Sequence, residues 1–551
     1  MEVIAKCRSW GIERYRSMAL VVGILGLGLL ITVPEFWHHA VIMSSDSRIH
    51  FTRLEQVYRS LQGLQLPPLV NFFGFGQQGL AVNGMYPWLT AVIFIGPRFL
   101  VASPILAMAI GFLLVNWLTG LTSWLLCRQL TSSRRYQLLG VTIYLLNTYH
   151  LALLYARTAM GELLAYLFLP LVLLGCLQLW QSERVNRGWL WLAVGMAGIA
   201  NSHVLSLLVV SLVLGLIEAI RWWQRKLKRS ELFGLLKAGI VALGASAYSL
   251  GNLIYVSFNN QMTVPFRNLI TIDLAQVQQV WLTNRFSEVA SSWSVGLPVM
   301  VLLGFLVSQW FRYAASYKQE TWIPWLKLTL LSIVITLSWW PWEKLAQSPV
   351  GVIQFWGRLL CATALLTMVT LVLYCNQHPL KRRTYWSGMA VITLMALSSL
   401  GLFNQSMHPV PAGDPHRIVA RGTYFQMLNT TSYLPEYHPK SKAGKDVLEI
   451  HNQTKLTLEH STGDRGIYLV ETPQKGRVTD LAFAQYRGVT YHMTLNGEPV
   501  KSLATDHLRL KLPKRRNQLV VKAQAPSFDY PLIAISLVTW VGLGISLSRK
   551  P

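Results

Sequence analysis

Long apolar runs separated by short polar stretches are the most regular feature of the chain. Runs of roughly 17 to 25 residues are long enough for a helix to cross the hydrocarbon core of a bilayer, about 30 Å thick. A shorter apolar stretch, residues 86 to 100, contains Pro97 and Arg98 near its end, which favours a re-entrant or interfacial segment. We predict twelve spans, at 18-36, 103-127, 136-153, 161-180, 188-203, 205-221, 233-255, 295-312, 323-340, 357-376, 384-403 and 531-548. The pattern therefore predicts an α-helical polytopic membrane protein.

Residues 404 to 530 lack such runs and instead alternate apolar and polar positions. The stretches DVLEI, KLTLEH, GIYLVET, VTYHMTL, LRLKL and QLVVKA are typical of strands with one buried face. Asn496 and Gly497 favour a type I′ turn, because both tolerate positive φ. We predict a β-sandwich-like domain of about 120 residues, a usual domain size. The expected domains are a multi-span region at 1-403 with an outer loop at 37-88, a β-rich domain at 404-530, and a transmembrane helix with a short cytoplasmic tail at 531-551.

Composition agrees with the spans, because 52% of the residues are hydrophobic and only 13% are charged. The formal net charge is +25, but Lys and Arg fall in short clusters between apolar runs, as at 225-229 and 381-383. This placement excludes nucleic acid as a partner, since that would need a basic face on a soluble domain. By the positive-inside rule the clusters lie in the cytoplasm. We therefore predict a multi-pass plasma-membrane protein with a cytoplasmic N-terminus and an extracytoplasmic β domain.

This orientation predicts which polar residues can meet outside the membrane. The first outer loop contains SSDSRIHFTRL, in which Asp46, His50 and Arg53 stand at i, i+4 and i+7 on one stripe of a helix. An adjacent apolar stripe is typical of an amphipathic helix that lies on the outer membrane surface. The alternative is that Asp46 only caps the helix. The long outer loop at 256-294 is interpreted as solvated.

Further candidates begin or end other spans on the same side. Arg157 and Glu162 flank one turn, and ionisable residues near spans tend to face a cavity or a partner. The alternative is that Glu162 only opens a helix, where the macrodipole favours an acid, and pairs with Arg157. His203 lies in a turn between two spans, where polar residues are common. Gln354 and Arg358 precede another span, where an arginine either snorkels to the interface or binds a lipid phosphate.

Several short motifs occur along the chain in an order that resembles known membrane-protein families. In order they are DSRIHFTRL, YPWL, RTAMGE, NSHVLS, QFWGRLL, YLPEY and YRGVTYHMTLNGEPV. Together they resemble the bacterial YfhO-like and pyruvoyl-tetrahydropterin-synthase-related families. The long first outer loop with an early aspartate resembles the GT-C superfamily of polyprenyl-phosphate-sugar-dependent glycosyltransferases. The last motif departs from the usual Tyr-Pro-Gly-Trp, because residues 486 to 489 read Tyr-Arg-Gly-Val, which puts a carbohydrate-stacking role for that strand in question.

The resemblance implies an extracytoplasmic sugar transfer. The donor would be a polyprenyl-phosphate sugar and the acceptor an envelope glycopolymer or glycan, with membrane lipids as the surroundings. Asp46 would be the general base, since a carboxylate must take the proton of the attacking hydroxyl. His50 would orient Asp46 or bind the acceptor, and Arg53 would pair with phosphate. The substrate-binding candidates are His50, Arg53, Arg157, Glu162, His203, Gln354 and Arg358.

No cofactor is predicted, and a divalent metal stays an open alternative, because Asp46 alone does not make a cation site. The sequence shows no P-loop, HExxH, CxxC or dinucleotide fingerprint. Two other function classes also stay open. A flippase or transporter of lipid-linked saccharides would place ionisable residues in spans, although no pair of corresponding broken helices is evident. A non-catalytic envelope-assembly scaffold would use the β domain and would not need Asp46.

Overall fold

The computed structural model describes residues 2–36, 40–44, 46–181, 187–263, 267–313, 320–407, 418–428, 434–440 and 454–549. The architecture is mostly helical, with a β-sheet domain before the last helix, as predicted. The helices in chain order are α1 (Glu2–Phe36), α2 (Ser47–Gln62), α3 (Val82–Met85), α4 (Val92–Leu100), α5 (Pro104–Leu130), α6 (Arg134–Leu145), α7 (Thr148–Leu151), α8 (Met160–Gln181), α9 (Gly188–Ala200), α10 (Val204–Trp223), α11 (Arg229–Ala245), α12 (Ala247–Asn259), α13 (Leu274–Leu282), α14 (Leu297–Tyr313), α15 (Ile323–Thr336), α16 (Leu360–Gln377), α17 (Arg382–Met407), α18 (Arg421–Leu428) and α19 (Asp529–Ser548).

The chain is a membrane protein by the length and apolar character of these helices. Within the described ranges, seven helices are long and apolar enough to cross a bilayer, and nine do so if each of two bent pairs counts as one span. The three other predicted spans coincide with apolar helices of 10–17 residues. Each of the twelve predicted segments thus contains a helix, and nine at most meet both the length and the composition of a full span within the described residues.

Two of the predicted single spans are bent. The helices α6 and α7, with a following π-helical turn at Ala152–Ala156, meet at 46°, and α11 and α12 meet at 72°. At the first bend the Asn147 side chain accepts a hydrogen bond from the His150 N–H at 3.0 Å and donates to the Tyr166 hydroxyl at 3.0 Å. These bonds satisfy polar groups where the helix ladder is interrupted. The predicted spans at 136-153 and 233-255 are therefore each divided into two helices.

The β-rich part forms two antiparallel sheets that share one apolar core. The strands are β1 (Ala40–Ile42), β2 (Ile418–Ala420), β3 (Lys455–Ser461), β4 (Arg465–Glu471), β5 (Val478–Ala484), β6 (Thr490–Leu495), β7 (Glu498–Val500), β8 (His507–Lys511) and β9 (Arg516–Gln524). A five-stranded sheet has the order β3-β4-β9-β6-β7, and β5 pairs with β8. Asn496 and Gly497 have φ of 54° and 90° between β6 and β7, which confirms the predicted turn. The strands β5 and β7 were not predicted, and DVLEI lies outside the described residues.

The helix α2 packs against the β domain and is largely buried, and its predicted position on the outer membrane surface stays a prediction. The Gln56 amide donates to the Gly463 carbonyl at 2.8 Å, and the Ser60 hydroxyl donates to the same oxygen at 3.0 Å. A Cβ on Gly463 would lie 2.6 Å from the Ser60 Cα, so only glycine permits this approach. These hydrogen bonds satisfy the polar side of α2 with protein groups instead of water, which is why the helix is buried.

Tyr486 joins the β domain to the first outer loop. Its hydroxyl accepts from the Ala81 N–H at 3.0 Å and donates to the Tyr437 carbonyl at 2.5 Å. The side chain is only 2% exposed, so its ring cannot serve as a platform for a sugar. The tyrosine of the divergent YRGV motif is therefore a structural contact between the β domain and the loop at 37-88.

We expect Tyr486→Phe to lower the free energy of unfolding by about 1 to 3 kcal/mol, because it leaves the buried Ala81 N–H without its partner. A lower midpoint of thermal unfolding of the purified protein in detergent would show this loss. Tyr530→Phe is the matched control, since the Tyr530 side chain is 62% exposed. Equal midpoints for the two variants would contradict the role given to the Tyr486 hydroxyl.

Candidate functional site

Asp46 lies at the N-terminus of α2, but its side chain makes no capping hydrogen bond. The segment before it is fixed by the antiparallel pairing of β1 with β2. The Asp46 N–H donates to the Arg157 carbonyl at 3.1 Å, and the Ser44 hydroxyl donates to the Thr158 hydroxyl at 2.7 Å. The interpretation of Asp46 as a simple helix cap is therefore not supported, and its carboxylate is available for other partners.

A cluster of two carboxylates and two guanidinium groups forms beside Asp46, and we call Asp46, Arg157, Glu162 and Arg358 the ionic cluster. Arg157 Nη2 lies 3.0 Å from Glu162 Oε2 and 3.8 Å from Asp46 Oδ2. Arg358 Nε lies 3.5 Å from Glu162 Oε2. The Tyr149 hydroxyl donates to Glu162 Oε1. The negative charges of two carboxylates and the positive charges of two guanidinium groups thus offset one another in a region from which water is largely excluded.

The two arginines are held by neighbouring groups as well as by charge. The Arg157 guanidinium lies over the Trp293 ring, 4.1 Å from its centroid, which is a cation–π contact. The next residue, Thr158, has φ of 50°, a conformation that costs a non-glycine residue about 1 to 3 kcal/mol. Arg358 is held by the backbone before it, because its Nη1 donates to the Ile353 carbonyl at 2.7 Å.

Gln354 belongs to the backbone loop that precedes Arg358. It has φ of 62°, and its carbonyl accepts from the Ile270 N–H at 2.8 Å. The N–H of Trp356 donates back to the Ile270 carbonyl at 2.9 Å. This exchange ties the start of the span that carries Arg358 to the described part of the loop, 267-294, at Ile270.

His50 and Arg53 form a second group on α2, adjacent to the ionic cluster. Arg53 Nε donates to His50 Nδ1 at 3.2 Å, and Arg53 Nη1 donates to the Pro87 carbonyl at 3.0 Å. The Arg53 guanidinium also lies 4.2 Å from the centroid of the Tyr86 ring. The centroid of the His203 ring lies 6.0 Å from that of the Tyr86 ring. His203 itself caps α10 by accepting from the Ser206 N–H.

Tyr86 lies between the two groups. A Cβ on Gly161 would collide with the Tyr86 hydroxyl oxygen, so the small residue before Glu162 makes room for this ring. Tyr86 interacts electrostatically with Arg53, Asp46, Glu162 and Arg358. The tyrosine of the YPWL motif therefore connects α2 with the ionic cluster.

Exposure distinguishes Asp46 from the other members of the ionic cluster. The side chains of Arg157 and Glu162 are 6% and 7% exposed, whereas that of Asp46 is 36% exposed. Removal of water by the surrounding protein raises the pKa of Asp46 above its ordinary value, and the charges of Arg157 and Arg358 oppose this increase. Asp46 is thus the acid of the cluster that an incoming group can reach.

His50 is neutral near pH 7. Burial, followed by the nearby charge of Arg53, lowers the pKa of the imidazole well below its usual range. A neutral ring agrees with the geometry, in which Nδ1 accepts a hydrogen bond from Arg53. Within the described residues the His50 ring is hydrogen-bonded to Arg53 and not to Asp46. The predicted orientation of Asp46 by His50 therefore does not rest on a hydrogen bond between the two side chains.

The structure brings Asp46, Arg157, Glu162 and Arg358 together, places His50, Arg53 and His203 around Tyr86, and leaves Gln354 in the supporting loop. Their chemical roles stay predictions. Tyr86, Tyr149 and Trp293 were not predicted from the sequence as parts of the site. Tyr86 belongs to the YPWL motif, but aromatic residues are common at membrane interfaces, so its residue type alone does not indicate a functional site.

A resident metal has little support from the side chains. Within the part of the chain that the structure describes, no group of three or more His, Cys, Asp and Glu side chains is arranged to hold a metal ion. Asp46 and Glu162 both pair with Arg157, whereas Ca²⁺ takes six to eight oxygen ligands and Mg²⁺ an octahedral set. The carboxylates of the cluster are therefore matched to guanidinium groups.

Comparisons with known proteins add little to this geometry. No family model matches the chain, and no curated protein matches it. One solved structure with a similar arrangement is the mycobacterial arabinofuranosyltransferase AftD, with a TM-score of 0.47 and 15% identity. The likeness covers 71% of this chain and 27% of AftD, so this chain spans about a quarter of that protein. At this distance the likeness carries no conclusion about activity.

We expect Glu162→Gln to destabilise the protein by about 3 to 5 kcal/mol, because it leaves Arg157 and Arg358 buried without their shared carboxylate. The midpoint of thermal unfolding measures this effect. Glu471→Gln is the control, since Glu471 pairs with Arg516, whose side chain is 79% exposed, and exposed pairs contribute little. An unchanged midpoint for Glu162→Gln would show that the cluster does not depend on this carboxylate.

Proposed function

We propose that the protein is a membrane glycosyltransferase of the GT-C type. It transfers a sugar from a polyprenyl-phosphate donor to an extracytoplasmic envelope glycan, and Asp46 is the general base. The observation that carries the proposal is the partly exposed Asp46 carboxylate, which lies 3.8 Å from Arg157 in a cluster whose Glu162 and Arg358 line a small apolar groove. A base, cations for a leaving phosphate and an apolar contact for a lipid thus occur together.

The apolar groove is a small pocket of about 30 Å³ between the helices α8 and α10. Glu162 and Arg358 line one end of it. Its other walls are mainly apolar and include Ala165, Leu169, Leu205, Val209 and Val210. A pocket of this size takes only the part of a polyprenyl chain next to the phosphate, whose charge would pair with the Arg358 guanidinium.

Arg157 has a spare hydrogen-bond donor for a phosphate, and Glu162 holds both arginines in place. Arg157 Nη1 is buried and makes no hydrogen bond to any described residue. A guanidinium N–H binds phosphate through a charge-assisted hydrogen bond, which the spare Nη1 donor of Arg157 permits. Glu162 orients both arginines, so it acts as a positioning residue rather than as the base.

The proposed reaction is a single inverting displacement. The acceptor hydroxyl oxygen attacks the anomeric carbon while Asp46 takes the hydroxyl proton. The bond between the anomeric carbon and the phosphate oxygen breaks, and its electron pair leaves with the polyprenyl phosphate. Arg157 and Arg358 stabilise the negative charge that develops on this leaving group.

The motif resemblance and the predicted topology support the same proposal. The segments that contain Asp46, Arg157, His203 and Arg358 come from predicted outer turns that are far apart in the sequence, yet they meet at one end of the helical bundle. The extracytoplasmic position of this end is part of the proposal and rests on the positive-inside rule.

A transporter of lipid-linked saccharides is the second candidate, and the bent spans favour it. Broken helices are common where transporters bind substrate, and the bent pair α6–α7 leads through the π-helical turn to Arg157. The two candidates differ in chemistry, since a transporter moves its substrate across the bilayer without covalent change.

We expect Asp46→Asn to reduce sugar transfer by about 10² to 10⁴-fold, the usual contribution of a general base. The measurement uses purified protein in lipid vesicles with a synthetic polyprenyl-phosphate sugar and an envelope glycan fraction, with product formation followed by mass spectrometry. The amide keeps the size of the side chain but cannot accept the proton, so binding of the donor should persist.

Asp273→Asn is the matched control, because Asp273 also precedes a helix but its side chain accepts the capping bond from the Gln276 N–H at 2.9 Å. Asparagine preserves that bond, and transfer should be unchanged. Full transfer by Asp46→Asn would remove the base from the proposal. Movement of intact donor across the vesicle bilayer without product would favour the transporter.

The raised pKa of Asp46 predicts the pH dependence of transfer. A general base works when it is deprotonated, so activity should fall as pH decreases through the pKa of Asp46. Because burial raises this pKa, the acid limb of kcat/KM should lie at higher pH than the ordinary aspartate value of about 4. A limb at or below that value, measured in vesicles across about pH 3 to 8, would contradict the assignment.

A further inference from the structure

A second opening approaches the ionic cluster from the side of α13 and α17. It is a cavity of about 360 Å³, within the range of small-molecule sites. It shares no lining residue with the apolar groove. Its lining residues are Ser44, Ala156, Gln279, Val280, Thr283, Arg285, Phe286, Ser287, Glu288, Val289, Phe403 and Ser406.

One side of this cavity is formed by two residues that lie next to members of the ionic cluster in the sequence. Ser44 is two residues before Asp46, and Ala156 directly precedes Arg157. These two wall segments are fastened together by the hydrogen bond from the Asp46 N–H to the Arg157 carbonyl at 3.1 Å. A molecule in the cavity therefore lies against the same backbone that positions the Asp46 carboxylate.

The outer wall is also coupled to the ionic cluster. The Glu288 carbonyl accepts a hydrogen bond from the Trp293 indole N–H at 3.1 Å. The ring of Trp293 in turn lies under the Arg157 guanidinium. The loop after α13, which was predicted to be solvated, is thus part of the wall between the cavity and Arg157.

The chemistry of the lining differs from that of the groove. Gln279, Ser287, Arg285 and Glu288 contribute amide, hydroxyl and charged groups. The rings of Phe286 and Phe403 stack with centroids 4.7 Å apart and an interplanar angle of 25°. A site with an apolar floor and several hydrogen-bonding groups suits a sugar, which has both apolar C–H faces and hydroxyls.

We propose that this cavity binds the terminal sugar of the glycan acceptor. The proposal rests on the proposed transferase function and names the second substrate site. The donor reaches the cluster from the membrane through the apolar groove, and the acceptor reaches it through the polar cavity. The two substrates then meet at Asp46, whose side chain remains 36% exposed.

The test places a photo-crosslinking amino acid, p-benzoylphenylalanine, at Gln279 in the full-length protein in its own cells. Gln278 is the matched control, because it is the preceding residue of α13, is also exposed, and does not line the cavity. After irradiation and denaturing purification, sugars released from the protein by acid are measured by mass spectrometry. We expect at least tenfold more sugar on the Gln279 variant than on the Gln278 variant.

A second pair of variants gives a kinetic readout. Gln279→Trp should raise the KM for the envelope glycan fraction at least tenfold, because it fills the proposed acceptor site. Gln278→Trp should leave this KM unchanged. Thermal unfolding midpoints show whether either variant is misfolded.

The outcomes separate this proposal from the transferase itself. Equal sugar at both positions, or cross-links to lipid or protein alone at Gln279, would overturn the acceptor site whatever Asp46 does. Sugar cross-linked at Gln279 together with full transfer by Asp46→Asn would keep the site and remove the proposed base.

Discussion

The shared carboxylate of Glu162 is the constraint on which the rest of the site depends. Arg157 and Arg358 come from different parts of the helical bundle and are both removed from water, so each needs a negative partner nearby. Glu162 meets both, and Tyr149 donates to its other oxygen. This arrangement brings together the end of a bent span, the start of α8 and the start of the span that contains α16. Asp46 takes the longer contact to Arg157, at 3.8 Å against 3.0 Å for Glu162, and so retains capacity for a substrate.

The β domain helps to position the site, because it binds the helix α2 that begins beside Asp46 and contains Arg53. Its loop at Gly463 fixes α2 through Gln56 and Ser60, and Tyr486 connects the first outer loop to the backbone at Tyr437. The position of α2 in turn sets that of Asp46 at one end and of Arg53 within it. A change in the β domain can therefore reach Asp46 through the hydrogen bonds that hold α2 at Gly463.

Two openings of opposite character lie beside the ionic cluster. The groove between α8 and α10 is mainly apolar and ends at Glu162 and Arg358, whereas the cavity beside α13 is mixed and ends at Ser44 and Ala156. Under the proposed function this separation has a physical advantage. A lipid-linked donor gains most from apolar contact within the membrane, and a hydrated glycan gains most from hydrogen bonds outside it.

The sequence determined the broad architecture because hydrophobic length and periodicity are local properties. All twelve predicted spans contain helices, most strands of the β domain were found, and the turn at Asn496 and Gly497 follows from the φ angles that these residues tolerate. The parity of the spans also placed Asp46, Arg157, Glu162 and Arg358 at the same end. Only the tertiary structure decided that Glu162 joins both arginines, that Tyr86 links the two polar groups, and that α2 is buried. Those features depend on contacts between segments far apart in the sequence, such as Glu162 with Arg358 and Gln56 with Gly463, for which a single sequence contains no local pattern.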